Sequence, residues 1–449
     1  MNMKFNTDNL FRKDEQYVWH AMKKYNPDAT MITKKADGVW ITDINDNRYL
    51  DGMAGLWCVN VGYGRPEIAD VASEQLKEMS YYPLMNSHLP AIELSEKLNE
   101  WLGDDYVIFF SNSGSEANET ALKITRQYFH QIGEPSKHKV VSRYRSYHGS
   151  TIATLAAGGQ MQRAYKYEPL AQGFLHVAPP DCYRSGFHRE DGTCCIEAAN
   201  DIDKVMTWEM SETIGAVIME PIITGGGVLV PHDSYMKRVK EICEKHGALL
   251  ICDEVICGFG RTGKQFGFKH YDVQPDIVTM AKGLTSGYMP LAATAVKREI
   301  YEAFTTTDDY DHFRHVNTFG GSPAACAVAL KNLEIIEEEQ LIQNAESLGE
   351  WLLHELQPLM DHPNVGDIRG KGLVAGIELV KDKTTKEPIE EERAASIVKM
   401  CKEQHILIGK TSDTVAGFNN IITMSPPLSI TQDELQLMID ALKMAIAKL

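Results

Sequence analysis

The chain has 449 residues, too many for one small core, so two or three domains are expected. Its composition, 43% hydrophobic and 24% charged, is that of an ordinary globular protein, and its net charge of −17 disfavours nucleic acid or an anionic membrane as a partner. No stretch approaches the roughly 20 apolar residues that span a bilayer, the opening from Met1 to Asp8 holds no apolar signal core, and the nine dispersed cysteines lack zinc spacing. A cytoplasmic protein with mostly reduced thiols is the expectation.

Residues 1–60 form a mixed segment with an aromatic-rich entry, Tyr17-Val18-Trp19-His20. A hairpin is expected from Gly38–Asp43 and Arg48–Asp51, turning at Asp46-Asn47. From 61 to 330, short apolar runs at 106–110, 140–141, 216–219, 248–252 and 277–280 alternate with longer stretches of helical spacing. Such runs predict an α/β domain whose mainly parallel sheet is covered on both faces. Beyond 330 the texture changes. A helical segment (327–357), a strand (372–380), a helix (390–404), a strand (406–408) and a closing helix (432–447) suggest a smaller α+β domain spanning 331–449 and joined by the N-terminal segment.

Two residues stand out at the ends of apolar runs. Asp253 ends Leu249-Leu250-Ile251-Cys252, and Lys282 follows Ile277-Val278-Thr279-Met280. Successive strands of a parallel sheet would bring the two side by side at its carboxyl edge, where open α/β sheets hold ligands. A lysine able to form a Schiff base beside an acid able to keep a pyridine protonated is the minimum apparatus of pyridoxal phosphate chemistry.

A phosphate site is suggested by Ser111-Asn112-Ser113-Gly114-Ser115, which leaves the strand at 106–110 and opens a helix from Glu116 to Tyr128. Free amides, hydroxyls and the positive helix end converge there, although Ser113 or Ser115 serves equally well as a plain N-cap. The run Gly258-Phe259-Gly260-Arg261-Thr262-Gly263 matches a dinucleotide pattern but opens no convincing helix, and is expected to be a loop.

Seven motifs in order carry a family resemblance. They are Leu56–Gly64, Ser113–Asn118, Tyr147–Thr151, Glu220-Pro221-Ile222, Asp253–Gly263, Ala281–Leu284 and Thr318–Gly321. The chain resembles class III aminotransferases of fold type I, and within them the ω-amino acid:pyruvate transaminases. The resemblance implies pyridoxal 5′-phosphate as cofactor, held covalently by Lys282, with Asp253 on its ring nitrogen. It also implies Tyr147 and Val255 on the two ring faces, Ser113, Gly114 and Ser115 around the phosphate, and Glu220 on the phenolic side. Thr318 would reach the phosphate of a neighbouring subunit, which implies a homodimer, itself able to pair into a tetramer. His148 is expected to be structural.

The resemblance further implies that Trp57, with Tyr147, walls the amine pocket, and that a C-terminal arginine binds the carboxylate of the keto acid. Lys410, in Ile406-Leu407-Ile408-Gly409-Lys410, stands where that arginine is expected; it keeps the charge and loses the bidentate fork. Arg163 and Arg314 are alternative cations. The implied reaction is amine transfer to pyruvate. Diaminopelargonate aminotransferase, a taurine or β-alanine aminotransferase, and a non-catalytic pyridoxal phosphate-binding protein are the alternatives.

Overall fold

A computed structural model describes residues 7–22, 31–185 and 194–449. The opening residues 1–6 and the side chain of Cys194 lie outside the described residues. A seven-stranded sheet forms the centre. Across it run Tyr106–Ser111, Ala292–Lys297, Ile277–Met280, Leu249–Asp253, Ile214–Met219, Lys139–Arg143 and Phe174–Val177. The last five are mutually parallel, and Ala292–Lys297 is antiparallel to both of its neighbours.

The middle strands are buried along their length because helices cover both faces, which is why they read as continuous apolar runs rather than alternating ones. Two strands were not legible as such. Ala292–Lys297 (Ala-Ala-Thr-Ala-Val-Lys) is rich in alanine, a weak strand former, and is held by pairing on both sides. Phe174–Val177 is a four-residue edge.

The expected hairpin is present between Trp40–Asp43 and Arg48–Asp51. The Asp43 carboxylate closes its turn by accepting from the Asn45 and Asn47 amides, each at 2.9 Å. Thr33–Asp37 adds an outer strand, and Ile406–Leu407 from the distant C-terminal part pairs in parallel with Arg48–Asp51. A further antiparallel sheet orders Val365–Gly370, Ala375–Asp382, Ile421–Met424 and Gly409–Lys410. Val365–Gly370 escaped the sequence reading because its polar, glycine-bearing residues show no apolar alternation.

The single helix expected over 327–357 is two, Pro323–Glu338 and Leu341–Leu356. The break falls at Gln340, whose left-handed backbone (φ 53°) no α-helix accommodates. The Gly258–Gly263 segment is a loop, with Arg261 buried and bonded to the carbonyls of Leu373 and Pro426. Seven described cysteines are free thiols, whereas Cys182 is disulfide-bonded. Among the described residues no helix is long and apolar enough to cross a membrane.

Candidate active site

The site forms at the carboxyl edge of the sheet. Asp253 and Thr279 are paired across adjacent parallel strands, so Asp253 and Lys282 leave the sheet side by side. The turns after Tyr106–Ser111, Lys139–Arg143 and Ile214–Met219 bring Ser113–Ser115, Tyr147 and Glu220 to the same edge.

Asp253 is buried, and its carboxylate is saturated with donors. Oδ2 accepts from His148 Nδ1 and Asn118 Nδ2, both at 2.8 Å, and Oδ1 accepts from the Val255 amide at 3.1 Å. Asn118 is fixed in turn by Thr279, whose hydroxyl donates to its Oδ1 at 2.8 Å. A buried charge is tolerable only when bonded in this way. His148 retains one buried ring nitrogen, Nε2, without a partner among the described residues.

Lys282 is largely enclosed, with part of its side chain still accessible. The enclosure lowers its pKa from the ordinary lysine value, against the opposing fields of Cys58, Asp253 and Glu220; Arg163 lowers it further. A lowered pKa gives more of the neutral amine that attacks carbonyls. The Lys282 backbone is left-handed (φ 49°), a conformation that costs a non-glycine residue on the order of 1 kcal/mol and recurs at functional sites. Gly283 then packs so closely that a Cβ would stand 2.5 Å from Asn60 Nδ2. The Trp57 ring centre is 5.9 Å from Lys282 Nζ, and Trp57 itself is left-handed at φ 59°.

The turn at 113–115 joins this group through Gly114. A Cβ there would lie 2.9 Å from Val255 Cγ1, so only glycine lets the helix start reach the Asp253 loop. Ser113 does act as an N-cap, accepting from the Glu116 amide at 3.2 Å. Ser115 Oγ accepts from the Ser150 amide at 3.1 Å. The first intrahelical bond runs from the Ala117 amide to Ser113 O, which leaves the Gly114 and Ser115 amides ahead of the ladder, at the positive end of the helix.

Tyr147 donates its amide to Glu220 Oε1 at 3.0 Å, and its hydroxyl pairs with Ser150 Oγ at 2.8 Å. Glu220 is buried, which raises its pKa; the Thr224 amide and hydroxyl also donate to it. The edge therefore offers a helix N-terminus, a buried carboxylate and a lysine of lowered pKa, with Val255 and Tyr147 on the adjoining turns. These residues fit pyridoxal phosphate: a buried, fully bonded carboxylate, a lysine of lowered pKa and the free amides of a helix start lie on one sheet edge.

Comparison with known proteins decides the family. The sequence pattern described as Aminotransferase class-III matches residues 21–446. The chain belongs to the class III aminotransferases. It is 63% identical to an uncharacterized aminotransferase of Bacillus subtilis (strain 168), YhxA, over 97% of this chain and 96% of the relative. It is 44% identical to taurine–pyruvate aminotransferase of Bilophila wadsworthia (strain 3_1_6), with 96% of each chain covered. Among solved structures it matches a Bacillus anthracis aminotransferase at 60% identity and a TM-score of 0.97, with both chains fully covered. The fold is the α/β fold of this family, the enzyme is a transaminase, and its cofactor is pyridoxal 5′-phosphate.

Two expected site residues stand outside this cluster of contacts. Thr318 is exposed on a surface turn, with its carbonyl accepting from the Tyr81 hydroxyl at 2.9 Å. Lys410, on the Gly409–Lys410 strand, donates from Nζ to Glu391 Oε1 at 2.8 Å and to Thr411 O at 3.1 Å. Sequence reasoning named no role for Asn118, yet it lies one helical turn beyond Gly114, and that spacing sets the two on one face. His148, expected to be structural, holds the Asp253 carboxylate directly.

Proposed function

We propose that this transaminase moves the amino group of an ω-amino acid or amine to pyruvate, returning alanine, in two half-reactions at one site. Bound pyridoxal phosphate supplies an electron sink that makes a Cα–H bond acidic. The protein supplies the rest. Lys282 is the residue that would hold the cofactor covalently, and its Nζ would take up the proton from the substrate Cα. Asp253 would pair with the pyridine nitrogen, and the donors from His148, Asn118 and Val255 hold its carboxylate in place. Ser113, Gly114 and Ser115 would hold the phosphate, Tyr147 and Val255 would pack against the ring, and Glu220 orders Tyr147.

The observation that carries the choice of donor is the Trp57 ring, 5.9 Å from Lys282 Nζ. A large apolar wall at the reacting amine suits a donor whose nitrogen sits on an unsubstituted or apolar carbon, distant from its acidic group. Taurine, the donor named for the Bilophila wadsworthia relative, is of this kind.

The enzyme acts as a homodimer in this reading. Leu84, Met85, Ile92 and Val316 line a surface groove of about 510 Å³, and Met85, Leu89, Ile92, Val316 and Phe319 are each more than half exposed. An apolar surface of that kind calls for a cover. With Thr318 in the same surface region, a second copy would gain a phosphate contact as it docked.

A donor panel tests the reading. Holoenzyme is mixed with pyruvate and each of taurine, β-alanine, 4-aminobutyrate, 1-phenylethylamine and S-adenosylmethionine, and alanine is measured. Alanine from an ω-amine supports it. Turnover of S-adenosylmethionine with 8-amino-7-oxononanoate, and none with pyruvate, would replace it.

A further inference from the structure

Arg163 stands on the short Met161–Ala164 helix, with its guanidinium 5.1 Å from the centre of the Tyr147 ring. It is a partly buried cation whose hydrogen-bonding capacity is almost unused. Nε is buried without a partner, Nη1 reaches only the Met22 sulfur at 3.7 Å, and Nη2 reaches Ser412 O at 3.4 Å. Among the described residues it has no ion pair, and burial pulls its pKa below the usual arginine value. Its charge is near enough to Lys282 to lower that group too.

Three other enclosed arginines are ion-paired, whereas the buried Arg143 and Arg261 also lack an ion pair among the described residues and are held instead by short bonds to backbone carbonyls, which Arg163 does not make. Arg145 pairs with Asp181 at 2.5 Å, Arg184 with Glu378, and Arg369 with both Asp367 at 2.6 Å and Glu378 at 2.7 Å. An enclosed charge normally has such a partner, because leaving water unpaired is costly. The remaining candidate cations are engaged. Lys410 is paired with Glu391, and Arg314 is bonded to the carbonyls of Tyr310 and His312 at the surface.

We propose that Arg163 is the anion clamp of the substrate pocket. It takes the carboxylate of pyruvate in one half-reaction and the distal carboxylate or sulfonate of an ω-amino donor in the other. This rests on the amine-to-pyruvate reading and names what the site recognises. A guanidinium contacts an aromatic ring through its face, while its N–H donors point along its plane. Stacking on Tyr147 therefore leaves an edge free for a bidentate carboxylate or sulfonate. The long contacts to Met22 and Ser412 are cheaply exchanged for it. An uncharged amine makes no such exchange and leaves Arg163 on Tyr147.

The test compares wild type with Arg163→Met, Arg163→Lys and Lys410→Met. Two quantities are read: KM for pyruvate against KM for 1-phenylethylamine, and the Kd of pyruvate for the pyridoxal phosphate form of the enzyme. The second involves no turnover, since no amino group is present to transfer. Arg163→Met should raise both the KM and the Kd of pyruvate about 10- to 100-fold, the range for a hydrogen bond to a charged group. The KM for 1-phenylethylamine should change by no more than about twofold on the same reasoning. Arg163→Lys, which keeps the charge without the fork, should fall between, and retention of the visible cofactor band reports a folded site. The proposal is overturned if pyruvate affinity is unchanged in Arg163→Met, if both KM values rise together, or if Lys410→Met alone produces the selective rise. Should wild type make no alanine from any donor, the reaction reading fails, and the pyruvate Kd still tests Arg163 separately.

Discussion

The two sides of this pocket are built on opposite principles. Around Asp253, three donors from a helix, a loop and its own turn converge on one carboxylate, and Thr279 locks Asn118 behind them. Around Arg163, donors are left over: one nitrogen is orphaned and two are loosely held. The saturated side suits a cofactor that stays, because fixed dipoles spend no reorganisation during reaction. The unsaturated side suits substrates that come and go and differ in charge, because a donor spent on the protein would have to be freed at every cycle.

Substitutions can break this contrast. The largest effect is expected from Lys282→Ala, which should remove the covalent link to the cofactor and lower kcat by at least about 10³-fold, within the range for a lost acid–base group. Retained turnover would show that another residue moves the proton. A pH measurement belongs with it. The depressed pKa of Lys282 means that the unfolded chain binds a proton that the folded one does not, between its folded value and the ordinary lysine value. Stability of the cofactor-free protein should therefore rise with pH through that window, and Lys282→Met should lose that rise. A rise equal in both proteins would assign it elsewhere.

Asp253→Asn comes next. It keeps the shape and removes the charge, so cofactor binding should largely survive while Cα proton removal slows on the order of 10²-fold. An unchanged rate in single-turnover measurements would contradict the assigned role. Asn118→Ala sharpens the contrast further, since it takes one donor from Asp253 and strands Thr279. A loss of about 1–3 kcal/mol in denaturant unfolding, the range for an unsatisfied buried group, should accompany a smaller loss of kcat than Asp253→Asn. Full stability would mean that the network is not saturated as described. The smallest effect is expected from Lys410→Ala. Its half-exposed pair with Glu391 contributes at most about 1 kcal/mol, and the pyruvate KM should stay within about twofold.

The saturated side was also the legible one. Asp253 and Lys282 end apolar runs, and a strand that stops on a charged residue announces the sheet edge from local order alone. The turn at Ser113–Ser115 announced itself likewise, though the hydroxyl of Ser113 serves as the cap that local rules allow. The Ala292–Lys297 strand was hidden because its alanines carry no strand preference and its pairing on both sides does the work. The break at Gln340 was hidden because a left-handed glutamine leaves no mark in hydrophobic spacing. Arg163 could be named as a cation but not ranked. Its contact with Tyr147 is made by a tertiary turn that no spacing rule relates, just as the Glu391 partner of Lys410 comes from a neighbouring helix.

One measurement bears most directly on the account. Holoenzyme is reduced with borohydride, digested, and its peptides mapped by mass spectrometry. A single pyridoxyl-labelled peptide carrying the modification on Lys282 is the predicted result. A label on any other lysine, or none, would contradict it.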